Sequence, residues 1–103
     1  MIPLLQKNRD AIIEICKKFE ALELYVFGSA LSDEYNSEKS DIDLAVIFDS
    51  SIPVENMADH YFGLIEELEK LLKRPVDLIT LVSVKNKIFK KELENTMVPL
   101  YAA

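Results

Sequence analysis

Two aspartates, Asp41 and Asp43, interrupt an otherwise apolar run, "SDIDLAVIF" at residues 40–48. In a strand, residues two apart share a face, so both carboxylates point the same way while Ile42 points into the opposite layer. Carboxylates about 6–7 Å apart repel one another unless something positive lies between them. A divalent cation meets that need. Mg²⁺ is held by one or two carboxylates together with water and substrate phosphates, and two such ions roughly 3.5–4 Å apart serve phosphoryl and nucleotidyl transfer. Asp77, at the start of another apolar run, "VDLITLV", offers a third carboxylate that can bind metal or take a proton from an attacking hydroxyl. Gly28-Ser29 directly follows a third run, "LELYVF". The glycine permits a tight turn and the approach of a phosphate, and Ser29 adds a hydroxyl and free backbone amides that favour anions.

Each piece also has a plain structural reading. Gly28-Ser29 can be an ordinary strand-ending turn, Asp41 and Asp43 a solvated strand end, and Asp77 an exposed position after Pro75. The order of the pieces along the chain favours a site at the aspartate pair, while for Asp77 the two readings are evenly matched.

The elements that must position these residues follow from periodicity. Ile12, Ile15, Cys16 and Phe19 recur at helical spacing after Pro3, which predicts a helix over residues 3–20. Residues 22–27 read as the first strand and the polar residues 32–40 as a loop. Residues 41–48 read as a second strand, apolar throughout from Leu44 and so covered on both faces. Ala58, Tyr61, Phe62, Ile65, Leu68 and Leu72 mark a long helix over residues 54–73 that Pro75 cannot continue. A third strand is expected over residues 76–82 and a weaker helix over residues 85–95. The whole implies an α/β (α+β) layer, a small mixed sheet with helices packed on it, as one domain spanning residues 1–103.

Taken together, "FGS" closing a strand, a polar loop, "SDIDLAV" on the next strand and a later "VDLI" resemble the minimal nucleotidyltransferases of the polymerase β-like superfamily. The likeness covers nearly the whole chain, and such small proteins resemble the antitoxins of MNT/HEPN toxin-antitoxin modules. The resemblance implies the nucleotidyltransferase (polymerase β-like) fold. It also implies Mg²⁺, two ions, and ATP as substrate, with AMP transferred to a hydroxyl, for the antitoxins a tyrosine of a HEPN-type toxin partner. Carried over by position, Gly28 and Ser29 match the phosphate-binding turn, Asp41 and Asp43 the metal-binding pair, and Asp77 the third carboxylate, as base or ligand. The chain departs from the pattern where Ser32-Asp33 replaces the usual Arg-Gly. Losing a planar, multi-donor arginine and gaining an aspartate weakens the hold on a triphosphate, with Lys39 the nearest substitute in the loop. That departure sustains a second reading, a catalytically weak or inactive module that neutralises or assembles with a partner by contact alone. A small-molecule nucleotidyltransferase is less favoured, since 103 residues leave little room for an acceptor-binding region.

Composition narrows the remaining classes. Half the residues are hydrophobic and 29% charged, the range of one globular domain. The net charge of −6 argues against nucleic acid as a direct ligand, because such binding rests on clustered Lys and Arg. No apolar run is long enough to cross a bilayer, and Gln6-Lys7 cuts short the apolar residues 2–5, so a cytoplasmic protein is expected. The single cysteine, Cys16, falls on the apolar helical stripe and excludes a disulfide framework. His60 reads as a boundary residue of its helix, and Tyr61 and Phe62 as core and core edge. Lys85, Lys87, Lys90 and Lys91 read as a solvated helix face. The apolar tail at residues 97–103 is expected to meet a partner or a second copy, leaving a homo-oligomer open.

Overall fold

Strand formers crowd residues 21–27 and 42–48, and in the computed structural model, which describes residues 1–31 and 41–103, these become the central pair of a sheet. β1 (Ala21–Phe27) and β2 (Ile42–Phe48) run antiparallel, Val26 opposite Leu44 and Phe27 opposite Asp43. β3 (Val76–Thr80) adds parallel to β2 and β4 (Val98–Ala102) antiparallel to β1, giving the order β3-β2-β1-β4. The predicted mixed sheet is therefore present, with a fourth strand that periodicity did not reveal.

One face of the sheet carries α1 (Pro3–Lys7), α2 (Arg9–Lys18) and α3 (Val54–Leu72). Leu5, Ile12 and Cys16 meet Leu24, Val26, Ile42, Leu44 and Val46 there, with Leu64 and Leu68 closing the layer. The opposite face is covered by α4 (Lys87–Thr96), whose Leu93 packs with Ala45 and Leu81. β2 is thus sandwiched on both sides, which explains its unbroken apolar stretch from Leu44 to Val46. Burial pushes the Cys16 thiol up to about 12, so it is a packing residue.

Four expectations need correction. The first helix is broken at Asn8, which leaves helical geometry (φ −101°, ψ 13°) and turns its side-chain amide onto the Leu4 carbonyl at 2.8 Å. The third strand stops at Thr80, because residues Leu81–Ser83 form a 3-10 turn that tucks Leu81 under α4. The tail is not left for a partner: it pairs with β1 as β4 and buries Leu100 in the main core. Phe62 is no core-edge residue but stands 65% exposed, while Tyr61 packs against the core as expected. The polar segment at residues 32–40, including Ser32, Asp33 and Lys39, lies outside the described residues. Among the described residues no helix is long and apolar enough to cross a membrane.

Candidate functional site

Asp43 and Asp77 are register partners on the adjacent parallel strands β2 and β3, so their side chains leave the same sheet face side by side. Asp41 stands one residue before β2, on the same alternation as Asp43, with Ile42 between them fully buried in the opposite layer. Asp41 and Asp77 are exposed and Asp43 is half-buried. Burial raises the Asp43 carboxyl above its ordinary value, and the negative charges of Asp77 and then Asp41 add to the effect. Three carboxylates therefore share one corner of the sheet, and no ion pair between described residues engages any of them.

Gly28 closes that corner from the side of β1. Its φ of +72° lies in the left-handed region, and a Cβ built there would sit 2.5 Å from Asp43 Oδ2. The backbone turn calls for glycine, and the space its missing side chain leaves is taken by the Asp43 carboxylate. Sequence reasoning found Gly28 for its tight turn, which the backbone shows, and for phosphate approach; that the space is held by Asp43 depends on Phe27 facing Asp43 across the β1–β2 register, which no local pattern displays. A 3-10 turn follows at Gly28–Leu31, pinned by the Ile2 amide donating to the Ala30 carbonyl at 2.9 Å. Ser29 lies in this turn.

The donor set suits a cation that asks little of the protein. Among the described residues no group of three or more His, Cys, Asp or Glu side chains is placed to hold a metal ion together. Mg²⁺, which keeps water and takes substrate oxygens, needs only one or two carboxylates. Asp43, half-buried beside the negative charges of Asp77 and Asp41, carries a local excess of negative charge that a cation would offset.

Other polar candidates stand apart. His60 Nε2 meets Glu20 Oε2 at 2.9 Å and Nδ1 meets the Asn56 carbonyl at 3.0 Å, on the α3 side of the sheet. Of the lysines on α4, Lys90 lies against Tyr25 and Ile47, toward the end of β2 remote from Asp43.

The sequence profile of the nucleotidyltransferase domain family matches residues 9–99, which takes in all four strands up to Pro99 and the entire aspartate corner. The chain belongs to this family. It is 39% identical over 82 residues to a Methanocaldococcus jannaschii protein that carries the provisional name protein adenylyltransferase, covering 79% of this chain and 78% of that protein. Among solved structures, a protein described as a minimal nucleotidyltransferase superposes with a TM-score of 0.71 at 26% identity, over 92% of this chain and 91% of the other. A toxin-antitoxin crystallised with AMP-PNP gives a TM-score of 0.71 at 22% identity, over 93% and 74% of the two chains. A complex from Shewanella oneidensis, a tri-AMPylated HEPN toxin with its MNT antitoxin, gives 0.65 at 23% identity, over 96% and 73%. At these lower identities the likeness concerns the fold. The mixed sheet and its flanking helices are those of the minimal nucleotidyltransferases.

Proposed function

We propose that the chain is a Mg²⁺-dependent nucleotidyltransferase that moves AMP from ATP to a hydroxyl of a partner protein, a tyrosine of a HEPN-type toxin, with residues 1–103 acting as one domain. The observation that carries this reading is the meeting of Asp41, Asp43 and Asp77 at one sheet corner against the side-chain-free Gly28. The family membership supplies the reaction class, and the toxin complexes among the structural neighbours supply the partner class.

In the proposed chemistry the Gly28-Ser29 turn receives the phosphates through its backbone amides and the Ser29 hydroxyl. Asp41 and Asp43 hold the cations, which when bound supply positive charge to the triphosphate and to the entering and leaving oxygens. Asp77 accepts the proton of the acceptor hydroxyl as its oxygen bonds to the α-phosphorus. The bond from that phosphorus to the bridging oxygen breaks, and pyrophosphate leaves.

Incubation of the protein with ATP labelled at the α-phosphate, Mg²⁺ and a co-expressed helical partner should label a partner tyrosine. Asp43→Asn should lower the rate by at least about a hundredfold, and Asp77→Asn by about 10²–10⁴-fold. Transfer undiminished in Asp43→Asn would remove the metal-binding assignment.

The Ser32-Asp33 sequence and the lack of a three-ligand cage among the described residues favour a second reading, in which the module acts by contact alone. It predicts that Asp41→Asn/Asp43→Asn still silences the partner with no nucleotide transferred.

A further inference from the structure

A groove of about 600 Å³ runs beside β3, lined by Tyr61, Leu78, Thr80 and Val84 and flanked by Phe62. A second hollow shares Met57, Thr80 and Ser83 with it and continues to Val82 and Phe48. Two large apolar side chains stand out around this surface: Phe62 is 65% exposed and Val82 80%. Contiguous apolar surface of this kind marks an interaction site.

Pairing of sheet edges is not how this surface would be covered. On the outer edge of β3 the Val76 amide donates to Glu69 Oε2 at 2.9 Å, and the Leu78 carbonyl accepts from the Tyr61 hydroxyl. At the opposite edge, Pro99 of β4 has no amide to give, and Arg9 donates to the Leu100 and Pro99 carbonyls at 3.2 and 3.4 Å. Both edges are blunted against strand addition, so a partner must be met by side chains.

The charges flanking the groove are polarised. On α3, Glu55 and Asp59 are exposed and share a helical stripe with Phe62, while Glu66 farther along is paired with Lys70. Across the groove the chain passes from Val84 to Lys85 and into α4, where Lys87 and Lys91, one turn apart, are exposed. A patch that is apolar in the middle, acidic on one flank and basic on the other complements itself under a two-fold rotation. The acidic flank of each copy then meets the basic flank of the other, twice over.

We propose that this surface is an isologous interface between two copies of the chain. The copies bury Phe62 and Val82 against one another's grooves, and the α3 acids face Lys85 and Lys87 of the opposite copy. The groove follows β3 toward its C-terminal end, whereas Asp43 and Asp77 sit near the N-terminal ends of their strands, so dimerisation leaves the aspartate corner open. The proposal is independent of the reaction assigned above.

Sedimentation equilibrium of the full chain from about 1 to 300 μM tests it, with a dimer of Kd below about 100 μM expected. Phe62→Glu should weaken the dimer by at least about tenfold. The decisive arms are two charge reversals, Glu55→Lys/Asp59→Lys and Lys85→Glu/Lys87→Glu. Each alone should sediment as a monomer with an unchanged circular dichroism spectrum. An equimolar mixture should recover a heterodimer, because the two reversals restore opposite charge at both contacts. A wild-type monomer across the whole range would overturn the proposal, as would a dimer indifferent to Phe62→Glu and to the reversals. A groove that binds only a different protein would show itself as the first of these.

Discussion

At the scale of single residues, the account turns on Gly28 and the carboxylate it makes room for. An alanine there has to adopt φ near +72° and place its Cβ 2.5 Å from Asp43 Oδ2. The left-handed backbone alone costs about 1–2 kcal/mol, and the carboxylate must swing away from its neighbours. Gly28→Ala is thus expected to lower the melting temperature by several degrees, about 4–8 °C per kcal/mol for a chain of this size. It should also reduce nucleotide transfer at a temperature where the variant is fully folded. Wild-type transfer in a folded Gly28→Ala protein would show that the Asp43 position is not what the glycine protects. A second residue-scale test concerns His60, whose pKa is raised, first by the Asn56 carbonyl, against an opposing effect of burial, with the Glu20 carboxylate and then the Asp59 charge adding to the rise. A raised folded-state pKa means that this contact stabilises below the unfolded value of about 6.5 and ceases to as pH rises through the folded value. Thermal melts of wild type and Glu20→Gln should therefore differ at about pH 5.5 and converge by about pH 9. Equal differences at both ends would exclude a charged His60.

At the scale of elements, the two central strands were legible because β2 is covered on both faces and β1 is rich in strand formers. Residues 22–27 and 41–48 differ from the observed strands by a single residue each. The break at Asn8 was not legible, since Leu5, Ile12 and Cys16 all reach the same core and keep one apolar stripe across it. The tail was misread for a related reason: Leu100 is buried only because β1 has a free edge to receive it, a fact of tertiary pairing. Leu100→Ala should accordingly cost about 2–5 kcal/mol in denaturant unfolding, the price of a core cavity, whereas a tail awaiting a partner would lose almost nothing. Packing between α2 and α3 makes a further demand, because a Cβ at Gly63 would clash with the Phe19 ring. That ring is held edge-on by His60 and lies beneath the Lys18 ammonium. Gly63→Ala should destabilise by about 1–3 kcal/mol through overpacking, despite the roughly 1 kcal/mol that alanine gains over glycine inside a helix. A stabilised variant would mean that the helices separate freely.

At the scale of the whole molecule, the sheet brings to one corner what the sequence spreads over fifty residues. Asp41 and Asp43 were legible as a pair because an alternation of two is local. That Asp77 stands beside Asp43 required the parallel β2–β3 register, and that Gly28 abuts it required the antiparallel β1–β2 register. Asp41, Asp43 and Asp77 face one corner but form no three-ligand metal group among the described residues, so a Mg²⁺ ion bound there would draw its remaining ligands from water and the nucleotide. In a chain of net charge −6, such an ion would offset the repulsion between these carboxylates and an anionic triphosphate. Isothermal titration with ATP, with and without Mg²⁺, on wild type and Asp41→Asn/Asp43→Asn, tests this most directly. The account predicts ATP binding that needs Mg²⁺ and is lost in the double variant. Binding that persists without Mg²⁺, or that survives both substitutions, would contradict it.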